Sequence, residues 1–353
     1  MKTSKTATKP RFNYITVASV ISAFAVILLH TNSFWNYGNS PRWEFANIIN
    51  CVFTFAVPVF FMISGATLID YSDRYDTKSF FKKRLKKTLI PWLFWSLAAA
   101  AVHAFAAKDF PADTYTPANL VAGIFCSKFI PIFWFFPPLF GLYLCMPLLT
   151  NTKKSSRKSL FRYLIAAIFI INALIPSLIK AAKLPEAFTI SIGIGMDAFF
   201  YAIVGYYIAN YKISKRNRII LYILGLISVA IAIVTTSIDS HAAGAVAGMW
   251  RGLDKPTYML YAPAIFVAIK QLVERFQLAK HQLAVRFFTF FSRYTFAIYL
   301  LHWFFLAFVE HYLHPNTNNP LYFIFASVAY IIGPCVVAFI VRKIPVVRAL
   351  IPD

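Results

Sequence analysis

The sequence predicts an all-α fold: a polytopic integral membrane helix bundle of about ten transmembrane helices, with both termini cytoplasmic. Three observations predict it. Of 353 residues, 59% are hydrophobic and only 14% charged, more apolar surface than a chain can turn to water. The apolar residues form runs long enough to cross ~30 Å of hydrocarbon as helices. Lysine and arginine gather in short clusters between alternate runs, as cytoplasmic loops do. The formal net charge of +22 therefore belongs to topology and not to a nucleic-acid face.

The first run, residues 12–35, follows Lys2, Lys5, Lys9 and Arg11 with no acid among them, so it runs outward. No small-residue cleavage site follows, which reads as a retained helix and not a signal peptide. It holds no charge between Tyr14 and His30, and His30 lies ~24 Å along the helix from Tyr14. A second helix over 45–69 returns inward. The most basic stretch follows, with Arg74, Lys78, Lys82, Lys83, Arg84, Lys86 and Lys87, and ends at Pro91. A third helix runs out over 91–107, an external loop spans 108–117, and 118–130 lies along the outer surface or re-enters. The fourth helix, 133–149, leads to Lys153, Lys154, Arg157, Lys158 and Arg162; the fifth, 163–179, goes out.

The sixth helix, 189–211, carries Asp197, and a basic loop separates it from the seventh, 219–238. The longest external loop, 239–256, holds Trp250, Arg251 and Asp254. An eighth helix over 257–273, a ninth over 287–308 with Arg293 near its inner end, and a tenth over 321–341 complete the set. All but seven of the 35 lysines and arginines then fall on the inner side. One domain over 1–353 is expected, with 1–11 and 342–353 as cytoplasmic ends. Cys51, Cys126, Cys145 and Cys335 have no paired spacing, so packing is their expected role and neither a metal site nor a disulfide framework is indicated.

His30, Asp197 and His302 fall in the outer half of this arrangement. Ionisable groups in lipid cost several kcal/mol and face cavities or partners, so a shared polar cavity is the functional reading. Carbonyl-bonded histidines and an ion-paired or capping Asp197 are the structural alternatives.

These residues also carry a resemblance. The helix ending Ile27-Leu28-Leu29-His30, the run Val57-Pro58-Val59-Phe60-Phe61-Met62-Ile63-Ser64-Gly65, and the basic segment from Phe81 to Pro91 resemble the membrane-bound acyltransferase 3 family. Phe133-Trp134-Phe135-Phe136 with Leu142-Tyr143 and Pro147 resembles its Trp-Phe helix. Ser292-Arg293-Tyr294 through Ile298-Tyr299-Leu300-Leu301-His302 resembles its penultimate helix. Gly195-Met196-Asp197 through Gly205 is similar to a segment of bacterial O-acetyltransferases of surface polysaccharides. The resemblance implies transfer of an acetyl group from cytoplasmic acetyl-CoA, a co-substrate and not a bound cofactor, to a hydroxyl of a cell-envelope glycan or glycolipid outside a bacterial cell membrane. The expected partners are the bilayer, an acyl-CoA and that acceptor, with a homodimer left open and no nucleic acid.

His30 matches the family's essential histidine. An imidazole titrating near pH ~6.5 suits a general base, and an acyl-histidine intermediate is equally open. Asp197 and His302 join it as catalytic candidates from depth; Arg84 and Lys87 match the family's basic motif and, with Arg293, are the donor-binding candidates. Ser19, Ser64, Trp134, Tyr143 and Tyr299 are expected to line the cavity. The family commonly places an arginine eleven residues before the histidine and an acid three residues earlier; here Ser19 and Thr16 stand there. A transporter or flippase of an envelope glycan or lipid precursor, working without chemistry, is the competing reading, and a catalytically silent scaffold is the third.

Overall fold

The computed structural model describes residues 12–38, 40, 42–184, 196–316, 319–345 and 347–352. Every regular element among them is helical, and eight segments are long and apolar enough to span a membrane. The protein is thus a multi-pass membrane protein. The basic flanks expected at 1–11 and the start of the sixth helix at 189–195 lie outside the described residues.

α1 (Tyr14–Thr31) begins at Asn13, whose side chain accepts from the amides of Ile15 and Thr16 and so satisfies two of the helix's first free N–H groups. It is the central staff of the bundle: α2, α3, α12, α13, α14 and α15 all pack against it. The single returning helix expected over 45–69 is instead two, α2 (Trp43–Phe53) and α3 (Ala56–Leu68). The cause is local. Thr54 Oγ1 donates to the Asn50 carbonyl at 2.6 Å, and Pro58 has no N–H to offer the carbonyl four residues earlier. The carbonyls of Cys51 and Val52, loosened at the break, accept from the hydroxyls of Tyr258 and Tyr261, which satisfies two of the freed backbone groups.

α4 (Thr77–Arg84) begins at Asp76. The Ser79 hydroxyl and amide hold the Asp76 carboxyl below its ordinary pKa. α4 continues through a π-helical turn, Leu85–Leu89, into α5 (Ile90–Ala101) and a second such turn, Val102–Ala107. The first turn has a cause in Pro91, which leaves the Lys87 carbonyl without its usual donor and widens the helix. α6 (Pro117–Phe125) is the short apolar-faced piece expected over 118–130, and Cys126 at its end is exposed, against the packing role expected of it. α7 (Phe136–Thr150), α8 (Lys154–Ile168) and α9 (Ile175–Ala181) follow; Pro176 produces a further π-turn, Phe169–Leu174, between the last two.

α10 (Met196–Asn210) lies along α3 at very short range. A Cβ added at Gly65 would stand 1.8 Å from the Ala202 carbonyl oxygen, and one at Gly205 2.1 Å from that of Met62. Two glycines of the resembling blocks are therefore the contact that lets two backbones touch, the small-residue packing favoured where lipid removes the hydrophobic drive. Far along the same pair, Arg157, 1% exposed, ties Asp70 and the Tyr206 hydroxyl together.

α11 (Lys215–Ala243) and α12 (Pro256–Arg275) form a long antiparallel pair, with polar Lys270, Gln271, Glu274 and Arg275 over the last two turns of α12. The ninth helix expected over 287–308 is also divided, into α13 (Gln282–Ser292) and α14 (Thr295–Leu313). Ser292 Oγ and Thr295 Oγ1 each donate to a carbonyl three residues back, and the amides of Arg293 and Tyr294 bond three residues back as well, which tightens and ends α13. Arg293 is left exposed at the joint. α15 (Pro320–Val341) packs on α14.

Candidate active site

The break between α2 and α3 opens a cavity of about 240 Å³ beside the end of α1. His30 faces it from the last turn of α1, Asn50 from α2, Thr54 from the break and Val57 from α3. Trp134 enters from the 3-10 turn Pro131–Phe135 before α7, Tyr299 from α14, and Trp35 and Arg251 from loops. A site drawn from four α-helices, a 3-10 turn, the α2–α3 break and two loops is one that only the assembled bundle possesses.

His30 meets His302 ring to ring, with centroids 5.3 Å apart. His302 is 0% exposed; its Nδ1 donates to the Ile298 carbonyl at 2.9 Å, and its Nε2 is buried with no hydrogen-bond partner among the described residues. With Nδ1 carrying the proton, Nε2 is an acceptor. Tyr299 stands three residues earlier on α14, its hydroxyl bonded to the Ile132 carbonyl, which fixes the wall that carries Trp134.

Arg251 is the one lysine or arginine among the residues that line this cavity. Its Nε and Nη2 both donate to Asn50 Oδ1, at 3.1 and 2.6 Å. Its guanidinium carbon lies 4.5 Å from the centroid of the Phe34 ring and 5.1 Å from that of Trp35. Burial lowers its pKa, while Tyr258 and Cys51 oppose the shift; a guanidinium stays charged regardless. Phe34 is itself held by Trp43, whose indole N–H donates to the Phe34 carbonyl at 2.7 Å.

Of the residues expected at the site, His30, His302, Trp134 and Tyr299 come together. Asp197 sits half-buried at the second residue of α10, near enough to Asp254 to interact, outside the cavity wall. Its helix reaches the site indirectly, through the Tyr201 hydroxyl on the Leu253 carbonyl. Ser19 and Ser64 fold their hydroxyls back on their own helices, onto the carbonyls of Thr16 and Phe60. Depth separates them from the cavity: Ser19 is ~16 Å below His30, and Ser64 ~10 Å beyond Val57.

Tyr143 belongs to the opposite end. The Arg84 guanidinium lies 5.7 Å from its ring and 5.8 Å from that of Phe80, with Nε buried and unpartnered among the described residues. Phe80 stacks on Tyr71 just past α3, so the length of α3, ~20 Å, separates Arg84 from the cavity. Lys87 is exposed on the π-turn and Arg293 at the α13–α14 joint. Sequence reasoning missed Arg251, Asn50, Thr54 and Trp35. The available signal was a solitary arginine in the longest outer loop, beside a tryptophan.

Comparison with known proteins agrees with this architecture at the level of family. No curated protein and no solved structure matches the chain. A family model described as an acyltransferase domain matches residues 12–339. With nearly the whole chain covered, the protein belongs to the acyltransferase 3 family of membrane acyltransferases.

Proposed function

We propose that the protein is a membrane O-acetyltransferase that moves an acetyl group from cytoplasmic acetyl-CoA to a hydroxyl of a cell-envelope glycan or glycolipid on the far side of the cell membrane, with His30 as the reacting group. The observation that carries this reading is His30, backed by the buried His302, at the wall of a cavity that also presents a cation and two indoles. In the direct route, His30 takes the proton of the acceptor hydroxyl while that oxygen attacks the thioester carbonyl. The C–S bond breaks, and the departing thiolate recovers the proton. In the stepwise route the His30 imidazole attacks the thioester carbonyl, the C–S bond breaks and CoA leaves as the thiol with the imidazole proton; the acceptor hydroxyl then attacks the acyl-imidazole, forming the ester and returning its proton to His30.

The donor enters from the basic end. Arg84, Lys87 and Arg293 supply charge for the CoA phosphates by charge-assisted contacts, and the extended pantetheine chain is the part of the donor able to reach along α3. No arginine stands at position 19, so the donor's charge is met by cations outside α1. The test is transfer of label by the purified full chain in lipid nanodiscs, from radiolabelled acetyl-CoA to an envelope glycan fraction. Label in the glycan is expected. CoA release without acceptor selects the stepwise route, and neither transfer nor release overturns the proposal.

A further inference from the structure

We infer that the acceptor taken by the His30 cavity is anionic: a sugar bearing a carboxylate or a phosphate, which Arg251 binds while Trp35 and Trp134 hold the ring. This rests on the acyltransferase reading above and adds the charge of the substrate to it.

Arg251 lines the cavity, and among the described residues no carboxylate lies within ion-pair distance of it. Its loop neighbour Asp254 is occupied by Lys255. Burying a guanidinium without a counter-charge is costly, and such groups are ordinarily paired. Here the offset is partial: one neutral amide oxygen, Asn50 Oδ1, and two aromatic faces. These contacts use Nε and Nη2 and leave Nη1 without a partner among the described residues, so the fork is held rigid with donors to spare. A rigid guanidinium with free N–H groups is the complement of a planar carboxylate or a phosphate.

Of the neighbouring cations, Lys255 is paired with Asp254, and Arg251 is the one lysine or arginine among the residues that line the cavity. The basic clusters lie toward the Arg84 end in the ten-helix reading, so this arginine is not one of a topogenic group. The aromatic walls supply the second half of the recognition. Trp35 is 63% exposed and Trp134 44%, both unusual for indoles in an apolar chain, and both border the cavity. Indoles present flat apolar faces on which the C–H face of a sugar ring stacks while its hydroxyls stay free. A cavity of about 240 Å³ has room for one ring and not for a long oligosaccharide. One ring, one negative charge and one hydroxyl at His30 complete the pattern.

The test is an equilibrium titration of three monosaccharide probes, glucuronate, glucose 1-phosphate and glucose, against the full chain in nanodiscs, followed by ligand-observed NMR. No donor is present, so a failure of acetyl transfer and a failure of this inference are read separately. At least one anion is expected to bind about tenfold more tightly than glucose, the size of one charge-assisted contact, and which one it is separates a carboxylated from a phosphorylated acceptor. Arg251→Gln is expected to remove the preference; Arg251→Lys is expected to retain part of it. Equal binding of charged and neutral probes by the unmodified protein, no binding by either anion, or a preference that survives Arg251→Gln overturns the inference. The first two outcomes need no variant, so misfolding of Arg251→Gln does not shelter it.

Discussion

At the scale of single residues, the two ends of the molecule use cations in different ways. Arg251 is fastened by Asn50 and aromatic faces at the cavity; Arg84 lies between Phe80 and Tyr143 at the other end with its Nε unspent. If Arg84 contacts the CoA phosphates, Arg84→Ala raises the apparent KM for acetyl-CoA about tenfold or more, while the KM for the acceptor is unchanged. Initial-rate kinetics against each substrate check this. A KM for acetyl-CoA within twofold of the parent's would return Arg84 to the general positive bias of its segment, which Lys82, Lys83, Lys86 and Lys87 would sustain without it. His30 and His302 were legible in the sequence because an ionisable side chain in an apolar run needs a reason. Arg251 was not, because its partner Asn50 is 201 residues away and nothing local in either stretch records the contact.

At the scale of elements, the site is a consequence of helices that fail at chosen places. The runs themselves were legible, since length and apolarity alone define them. The interruptions at Thr54 and at Arg293-Tyr294 were not, because each turns on one or two hydroxyls competing for backbone carbonyls, a balance of about 1 kcal/mol per bond that apolar periodicity does not report. The break at Thr54 opens the cavity, and the crossing of α3 and α10 holds α3 in place beside it. That crossing makes a sharp prediction. Gly65→Val forces side-chain atoms into the Ala202 backbone and should destabilise the protein by roughly 1–3 kcal/mol or more, as overpacking does. Gly205→Val should act alike. Gly141→Ala, on α7 with nothing within 4 Å of the added Cβ, should be neutral or slightly stabilising. Thermal unfolding followed by size-exclusion in detergent compares the three. Equal stability of Gly65→Val and Gly141→Ala would contradict the close crossing.

At the scale of the whole molecule, the proposed reaction requires that the Arg84 end face the cytoplasm. If the basic segments face the cytoplasm, as the proposed function requires, the Arg84 end lies inside and the His30 cavity outside, and donor and acceptor approach from opposite sides of the membrane. Cysteines introduced singly at two exposed positions test this in a background lacking the exposed Cys126: Ser155→Cys near the start of α8 and Ala245→Cys after α11. A membrane-impermeant maleimide applied to intact cells should label Ala245→Cys and reach Ser155→Cys only after lysis. The reverse pattern would put the cavity on the donor's side. The central claim, however, is chemical: His30 does the work of the transfer. Its direct measurement is single-turnover acetyl transfer by purified His30→Ala protein, with insertion and monodispersity shown equal to the parent's. A fall in the transfer rate of about 10²–10⁴-fold, the contribution of a positioned acid–base group, is the predicted result; a rate within a few-fold of the parent's would contradict the account.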